Sequence, residues 1–190
     1  SDLSGSASFS YDQRGRQTHA DKFIGAPGSP AWATETAVSS TGDVGTYASL
    51  ALDSLGNVHV SYYDATSTAL NLMYVKKTGN TWGTPVTVDS TGDVGQYTSI
   101  AIDSTGNPHI SYYDLTNTNL KYAKWTGSTW TLETVENSTG DVGQWTAIAV
   151  DSTGNPHISY RNVTSNDLKY AKKTGSTWTL ATVDGATPSA

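Results

Sequence analysis

The side chains in this sequence that could bind a ligand recur in copies spaced 48 to 50 residues apart. An aspartate stands in each TGDVG segment, and a Tyr-Asp pair follows about twenty residues later in two of the copies. Carboxylates beside exposed aromatic rings are groups that a sugar or a Ca²⁺ ion would use. The predicted binding residues are Asp43, Asp93, Asp141, Tyr63, Asp64, Tyr113 and Asp114. The alternative is that TGDVG is only a well-formed loop, duplicated with its repeat, and in the third copy Arg161-Asn162 replaces the Tyr-Asp pair.

A histidine also recurs once in each copy, shortly after an Asp-Ser-x-Gly-Asn turn. Three imidazoles could suggest a metal site, but successive repeats lie too far apart for three nitrogen ligands at roughly 2 Å from one ion. We expect instead that each histidine ties the turn of its own repeat, where an Asp side chain accepts backbone N–H bonds. The predicted structural residues are His59, His109, His157, Asp53, Asp103 and Asp151. No residue is predicted to be catalytic or to bind a metal.

These residues belong to a tandem repeat that covers most of the chain. Residues 91–135 align without a gap with residues 139–183, with 34 identities in 45 positions. Alternating apolar residues and turn residues predict four strands in this copy, namely Tyr97–Asp103, His109–Asp114, Leu120–Trp125 and Thr129–Val135. Four antiparallel strands in about 48 residues is the size of a propeller blade. A tryptophan recurs in the fourth strand, and we expect Trp82, Trp130 and Trp178 to cap the packing between blades.

The predicted fold is therefore an all-β, single-domain, small β-propeller of about four blades. The blades are predicted at about 5–40, 41–90, 91–138 and 139–185. The first blade is degraded, because His19 and Trp32 are 13 residues apart whereas His109 and Trp130 are 21 apart. One strand of the first blade is thus missing from the sequence.

The segment SIAIDSTGNPHISYYD resembles the propeller repeats of NHL and related bacterial and archaeal extracellular proteins. The GSTW segments that end at Trp130 and Trp178 are similar to the second half of the Asp-box of sialidase-like propellers, although the aspartate of that box is absent. The resemblance implies a fold and leaves the chemistry open, because many functions occur on propellers.

The resemblance to sialidase-like propellers suggests a sialidase-like enzyme. The residues of this sequence do not support that activity. Such an enzyme needs a cluster of arginines for a carboxylate, a Tyr/Glu pair and an acid. The chain has Arg14 and Arg16 in one turn, while Arg161 stands alone. Because no convergent site results, the chain is predicted not to be an enzyme, and a glycan-active enzyme is kept only as a remote alternative.

Composition restricts the partners and the location. Charged residues make up 15% of the chain and the net charge is −6, so a nucleic-acid partner is not expected. No apolar stretch approaches the roughly 20 residues of a membrane span. The absence of cysteine, the low charge and a start at Ser-Asp-Leu that fits removal of a leader all favour an extracellular or cell-surface location.

The function predicted first is that of a secreted structural or self-assembling protein, a subunit of an oligomer or filament. Its basis is the incomplete blade, because open edge strands can pair with another chain. The alternative is a lectin-like or adhesive module that recognises glycans, or another cell-surface ligand, through the face formed by the TGDVG and YYD loops. No cofactor is expected, with Ca²⁺ as the alternative.

Overall fold

The computed structural model of this 190-residue chain describes residues 7–11, 17–22, 35–38, 42–138 and 140–185. Every regular element among them is a β-strand, which confirms the all-β prediction. The described residues include no helix that could cross a membrane. The chain divides into two units, Ser1–Thr36 and Ala37–Ala190. In the first unit β1 (Ala7–Tyr11) and β2 (Gln17–Lys22) form an antiparallel hairpin, and the rest of the predicted first blade lies largely outside the described residues.

The second unit consists of three antiparallel sheets, each built from one copy of the repeat. The first sheet contains β3 (Val44–Leu52), β4 (Val58–Asp64), β5 (Asn71–Thr78), β6 (Thr81–Trp82) and β7 (Val86–Asp89). The second contains β8 (Val94–Ile102), β9 (Pro108–Asp114), β10 (Asn119–Trp125) and β11 (Trp130–Glu136). The third contains β12 (Val142–Val150), β13 (Pro156–Asn162), β14 (Asp167–Thr174) and β15 (Thr177–Asp184). Strands that follow one another along the chain pair in the second and third sheets, which confirms the four-stranded blades of a small β-propeller.

Two strands differ from the prediction, and both differences have a backbone cause. The first strand of the second sheet begins at Val94 rather than at Tyr97, and its register with β9 shifts twice, around Gln96. Gly95 and Tyr97 adopt positive φ angles of 107° and 52°, which allow these bulges in a continuous strand. The fourth strand of the first sheet is split into β6 and β7, because Pro85 between them has no N–H for the ladder.

Adjacent sheets pack closely because a glycine in one faces a leucine in the sheet before it. A Cβ atom at Gly95 would lie 2.7 Å from the Cα of Leu72, and one at Gly143 would lie 2.7 Å from the Cα of Leu120. Both leucines are completely buried. No residue larger than glycine therefore fits at either position without moving backbone.

Buried polar groups also join the sheets. Asp89, at the end of β7, accepts a 2.8 Å hydrogen bond from the Tyr112 hydroxyl of the next sheet and pairs with the Lys121 ammonium. Burial alone would raise the pKa of Asp89, but the bonds from Lys121, Thr91 and Tyr112 outweigh burial and lower it. The other junction repeats this arrangement, because Glu136 accepts from Tyr160 and pairs with Lys169.

The recurring tryptophans reach across the same junctions. Trp130 lies edge-on to Tyr74 of the preceding sheet, with 5.3 Å between ring centroids. Trp178 lies edge-on to Tyr122 in the same way at 5.2 Å. Trp82, in the first sheet, has the Lys77 ammonium 5.8 Å above its ring.

Candidate functional site

The TGDVG segment and the loop after the second strand of each sheet are hydrogen-bonded to one another. In the second sheet the Asp93 carbonyl accepts from the Leu115 N–H at 2.9 Å, and the Asp93 N–H donates to Thr116 Oγ1 at 2.8 Å. The third sheet repeats both bonds around Asp141, and the Asp43 carbonyl of the first sheet accepts from Ala65. One end of every sheet therefore carries both predicted binding segments.

At the first junction this end holds a tyrosine, a carboxylate and an amide. The Tyr63 hydroxyl of the first sheet donates to Asp93 Oδ1 of the second at 2.7 Å. Gln96 Nε2 donates to the same oxygen at 3.4 Å. Burial, followed by the bond to Asp93, raises the pKa of Tyr63 to about 12, so this hydroxyl remains a donor at neutral pH. The second Asp93 oxygen still has lone pairs for a ligand hydroxyl.

The second junction has the same groups in a looser arrangement. Gln144 Nε2 donates to Asp141 Oδ2 at 2.8 Å. Within the described ranges, Tyr113 Oη and Asp141 Oδ1 are both buried without a hydrogen-bond partner. Burial and the nearby Asp141 carboxylate raise the pKa of Tyr113, which keeps its proton. Buried polar atoms without a partner are uncommon, and here both belong to the same tyrosine–aspartate pair that is hydrogen-bonded at the first junction.

The second residue after each TGDVG segment is aromatic, and the three rings form one row, Tyr47, Tyr97 and Trp145. The ring centroids of Tyr47 and Tyr97 are 4.6 Å apart, and those of Tyr97 and Trp145 are 5.0 Å apart. Tyr47 is 39% exposed and Trp145 is 55% exposed, so the row presents an apolar strip to solvent. We call these three residues the aromatic row.

The backbone at the aromatic row is strained in every copy. Tyr47, Tyr97 and Trp145 have φ angles of 55°, 52° and 50°, a region that bulky residues rarely occupy. Such conformations cost roughly 1–3 kcal/mol each and are concentrated at functional sites. The same unusual backbone with an exposed ring in three copies points to a role for the rings themselves.

Arg161 lies beside Trp145, the third ring of the aromatic row. It occupies the position of Tyr63 and Tyr113 in the third copy, and its guanidinium carbon lies 5.3 Å from the centre of the Trp145 ring. Its Nη2 donates to Asn166 Oδ1 at 2.6 Å.

The remaining predicted binding residues act within their own loops. Asp64 Oδ1 accepts from the Thr66 N–H at 3.0 Å. Asp114 is 2% exposed and accepts from both the N–H and the side-chain amide of Asn117. These two carboxylates hold the loops in shape and do not face solvent as the aromatic row does.

The histidines and turn aspartates that were predicted to be structural lie at the opposite end of the sheets. His109 Nε2 lies 3.2 Å from Asp103 Oδ2, and its Nδ1 lies 2.6 Å from the Tyr122 hydroxyl. The same Asp–His–Tyr arrangement recurs in the other two sheets as Asp53–His59–Tyr74 and Asp151–His157–Tyr170. Burial lowers the pKa of His109 more strongly than Asp103 raises it, so the ring is neutral.

The tyrosine partner of each histidine was not anticipated from the sequence. Among the described residues no three His, Asp or Glu side chains lie close enough to share a metal ion. Calcium binding stays a prediction.

Comparisons with solved structures find the same kind of fold in other proteins. A fucose lectin from Kordia zhangzhouensis in complex with methyl-fucoside matches 70% of this chain and 96% of its own, with a TM-score of 0.51 and 21% identity. A variant of Aleuria aurantia lectin in complex with α-methyl-L-fucoside matches 83% of this chain with a TM-score of 0.56 and 16% identity. This chain spans about half (51%) of the length of the Aleuria protein. No family model matches the chain, and no curated protein does.

These comparisons correct the first functional prediction. The matched structures are lectins, which favours the lectin-like alternative over a structural, self-assembling oligomer or filament subunit. The first prediction is wrong because it was drawn from the incomplete blade and overlooked the aromatic row. The specific resemblance to NHL and Asp-box repeats gains no support from family models and remains a prediction.

Proposed function

We propose that this chain is a non-catalytic, lectin-like protein that binds glycans at an extracellular or cell surface, and that the aromatic row is its binding surface. The observation that carries the proposal is the row itself, three adjoining, tilted rings of which Tyr47 and Trp145 are the most exposed. One face of a sugar ring is largely C–H and packs against an aromatic ring. Its hydroxyl groups meanwhile need donors and acceptors close by.

The carboxylate–amide pairs beside the row supply those polar groups. Asp93 with Gln96, and Asp141 with Gln144, put an acceptor and a donor next to the Tyr47–Tyr97 and Tyr97–Trp145 contacts. A carboxylate accepts up to about four hydrogen bonds, so both retain capacity beyond their present partners. Two sites of similar chemistry on one protein would add avidity for a surface that displays many copies of a glycan.

Glycan-array binding of wild type and ring-deletion variants tests the proposal. Trp145→Ala is the first variant, because the side chain is more than half exposed and its loss leaves the core intact. We expect its affinity for the best glycan to fall about tenfold, which equals roughly 1.4 kcal/mol. Leu55→Ala is the control, since Leu55 is 85% exposed in the turn at the opposite end of the first sheet.

The array should include α-L-fucosides and be run with and without a calcium chelator. Binding that survives the chelator removes Ca²⁺ as a cofactor. If folded wild type binds no glycan in either condition, or if Trp145→Ala and Tyr97→Ala both bind as wild type does, the proposed function is wrong.

A further inference from the structure

Among the described residues, Arg161 forms no ion pair with a carboxylate, unlike most of the lysines. The lysines on the third strands of the sheets are largely ion-paired, with pairs formed by Lys76, Lys121, Lys124, Lys169 and Lys173. The Arg161 guanidinium donates a hydrogen bond to Asn166 Oδ1 and lies over the Trp145 ring. A guanidinium has five N–H donors, and the bond to Asn166 uses one of them.

The position of Arg161 in the fold brings its guanidinium to the aromatic row. In the first two sheets this position holds Tyr63 and Tyr113, which turn toward an aspartate of the sheet that follows. In the third sheet the same position holds Arg161. It lies instead against Trp145, the most exposed ring of the aromatic row.

The groups around the guanidinium leave it free to bind an anion. Gln144 lies opposite Arg161 in the ladder between β12 and β13, and its amide donates to Asp141 Oδ2. The other acid nearby, Asp167, accepts a 2.6 Å bond from Ser165 within the same loop. Neither carboxylate is in ion-pair contact with Arg161, whose planar fork matches a carboxylate in a two-bond geometry.

We propose that Arg161 and Trp145 form a subsite for an acidic sugar, a residue that carries a carboxylate. This inference rests on the proposed glycan-binding function and adds a ligand class to it. The sugar ring packs against Trp145, and its carboxylate accepts from the open guanidinium N–H groups. The first two copies have tyrosine in place of this arginine, so acid recognition belongs to the third copy alone.

A glycan array with matched acids and esters tests the subsite. Each uronic acid or sialic acid is printed beside its methyl ester, which has the same ring without the charge. Wild type is expected to bind at least one acid roughly 10- to 100-fold more tightly than its ester, the range for a hydrogen bond to a charged group. In Arg161→Gln the ratio of acid affinity to ester affinity should fall to about one, whatever the variant's absolute affinity for the esters.

Lys172→Gln is the matched control, because it removes the same charge from the same sheet near His157, at the other end of the strand. It should retain the preference for acids. The subsite is overturned if wild type binds acids and esters equally, or if Lys172→Gln loses the preference as fully as Arg161→Gln does. If wild type binds neutral glycans in these experiments, the proposed glycan-binding function stands even when the acid subsite is overturned. If wild type binds no glycan at all, both the proposed function and the subsite are wrong.

Discussion

The glycine–leucine contact between sheets gives a sharp test of how the second unit is held together. Gly95 has a φ of +107°, and a Cβ there would meet the Cα, Cβ and N of Leu72 at 2.7 to 2.9 Å. Gly45 is the same residue of the first copy, with a φ of +92°, and a Cβ there would meet none of the described residues within 4 Å. Gly95→Ala and Gly45→Ala therefore share the cost of placing alanine at a positive φ. They differ in the contact with Leu72, which only the Gly95→Ala methyl group would make.

The two costs can be estimated separately. Alanine at a positive φ loses about 1–2 kcal/mol relative to glycine, and both variants bear this loss. At Gly95 the added methyl also collides with backbone atoms of a completely buried leucine, which cannot rotate away. Overpacking of this kind costs roughly 1–3 kcal/mol. We expect Gly95→Ala to lose about 2–5 kcal/mol of stability, and Gly45→Ala about 1–2 kcal/mol.

Urea unfolding followed by tryptophan fluorescence measures the difference. With a slope of about 1–3 kcal/mol per molar urea, the two midpoints should lie roughly 1 M apart, with Gly95→Ala lower. Gly143→Ala, which faces Leu120 at the second junction, should match Gly95→Ala. Equal midpoints for Gly45→Ala and Gly95→Ala would refute the close packing of neighbouring sheets.

Two further predictions concern buried polar groups. Because burial lowers the pKa of His59 and His109, unfolded chains bind protons that the folded state does not, so the free energy of unfolding should fall as the pH drops below about 6.5. A urea midpoint at pH 5.5 equal to or above that at pH 7.5 would contradict this. Glu136→Gln leaves the mostly buried Lys169 ammonium without its counter-charge and should cost roughly 3 kcal/mol, part of which Lys169→Met should restore in the double variant. Chemical denaturation of the two single variants and the double variant measures both effects, and an unchanged midpoint in Glu136→Gln would show that the pair does not stabilise the junction.

The strands could be predicted from the sequence because their signals are local. Turn residues separate short alternating segments in each copy, and strands such as β9 and β10 begin within one residue of their predicted starts. The early start of β8 could not be predicted, because it depends on a positive φ at Tyr97, a conformation that a bulky residue adopts only when its surroundings impose it.

The candidate site was predicted only in part. In an up-and-down order of strands, the TGDVG segment and the loop after YYD lie at the same end of a sheet, so this placement could be predicted. In the structure, hydrogen bonds join these two segments. The aromatic row was missed, although an aromatic residue two positions after each TGDVG is visible in all three copies. Its meaning depends on contacts between sheets, such as the 4.6 Å between Tyr47 and Tyr97, and those contacts join residues about fifty positions apart.

The aromatic row lies on backbone in the left-handed conformation, which is strained for residues with large side chains. A substitution that relieves this strain would also remove a ring. Glycine would adopt the φ of 52° at Tyr97 without strain, so relief of strain favours a change that removes the ring. Directed evolution that rewards only thermal resistance would therefore be drawn toward glycine or asparagine at Tyr47, Tyr97 and Trp145. Under the proposed function, variants from such a selection should be more stable and should bind glycans less tightly, so a library meant to keep both properties should leave these three positions unchanged.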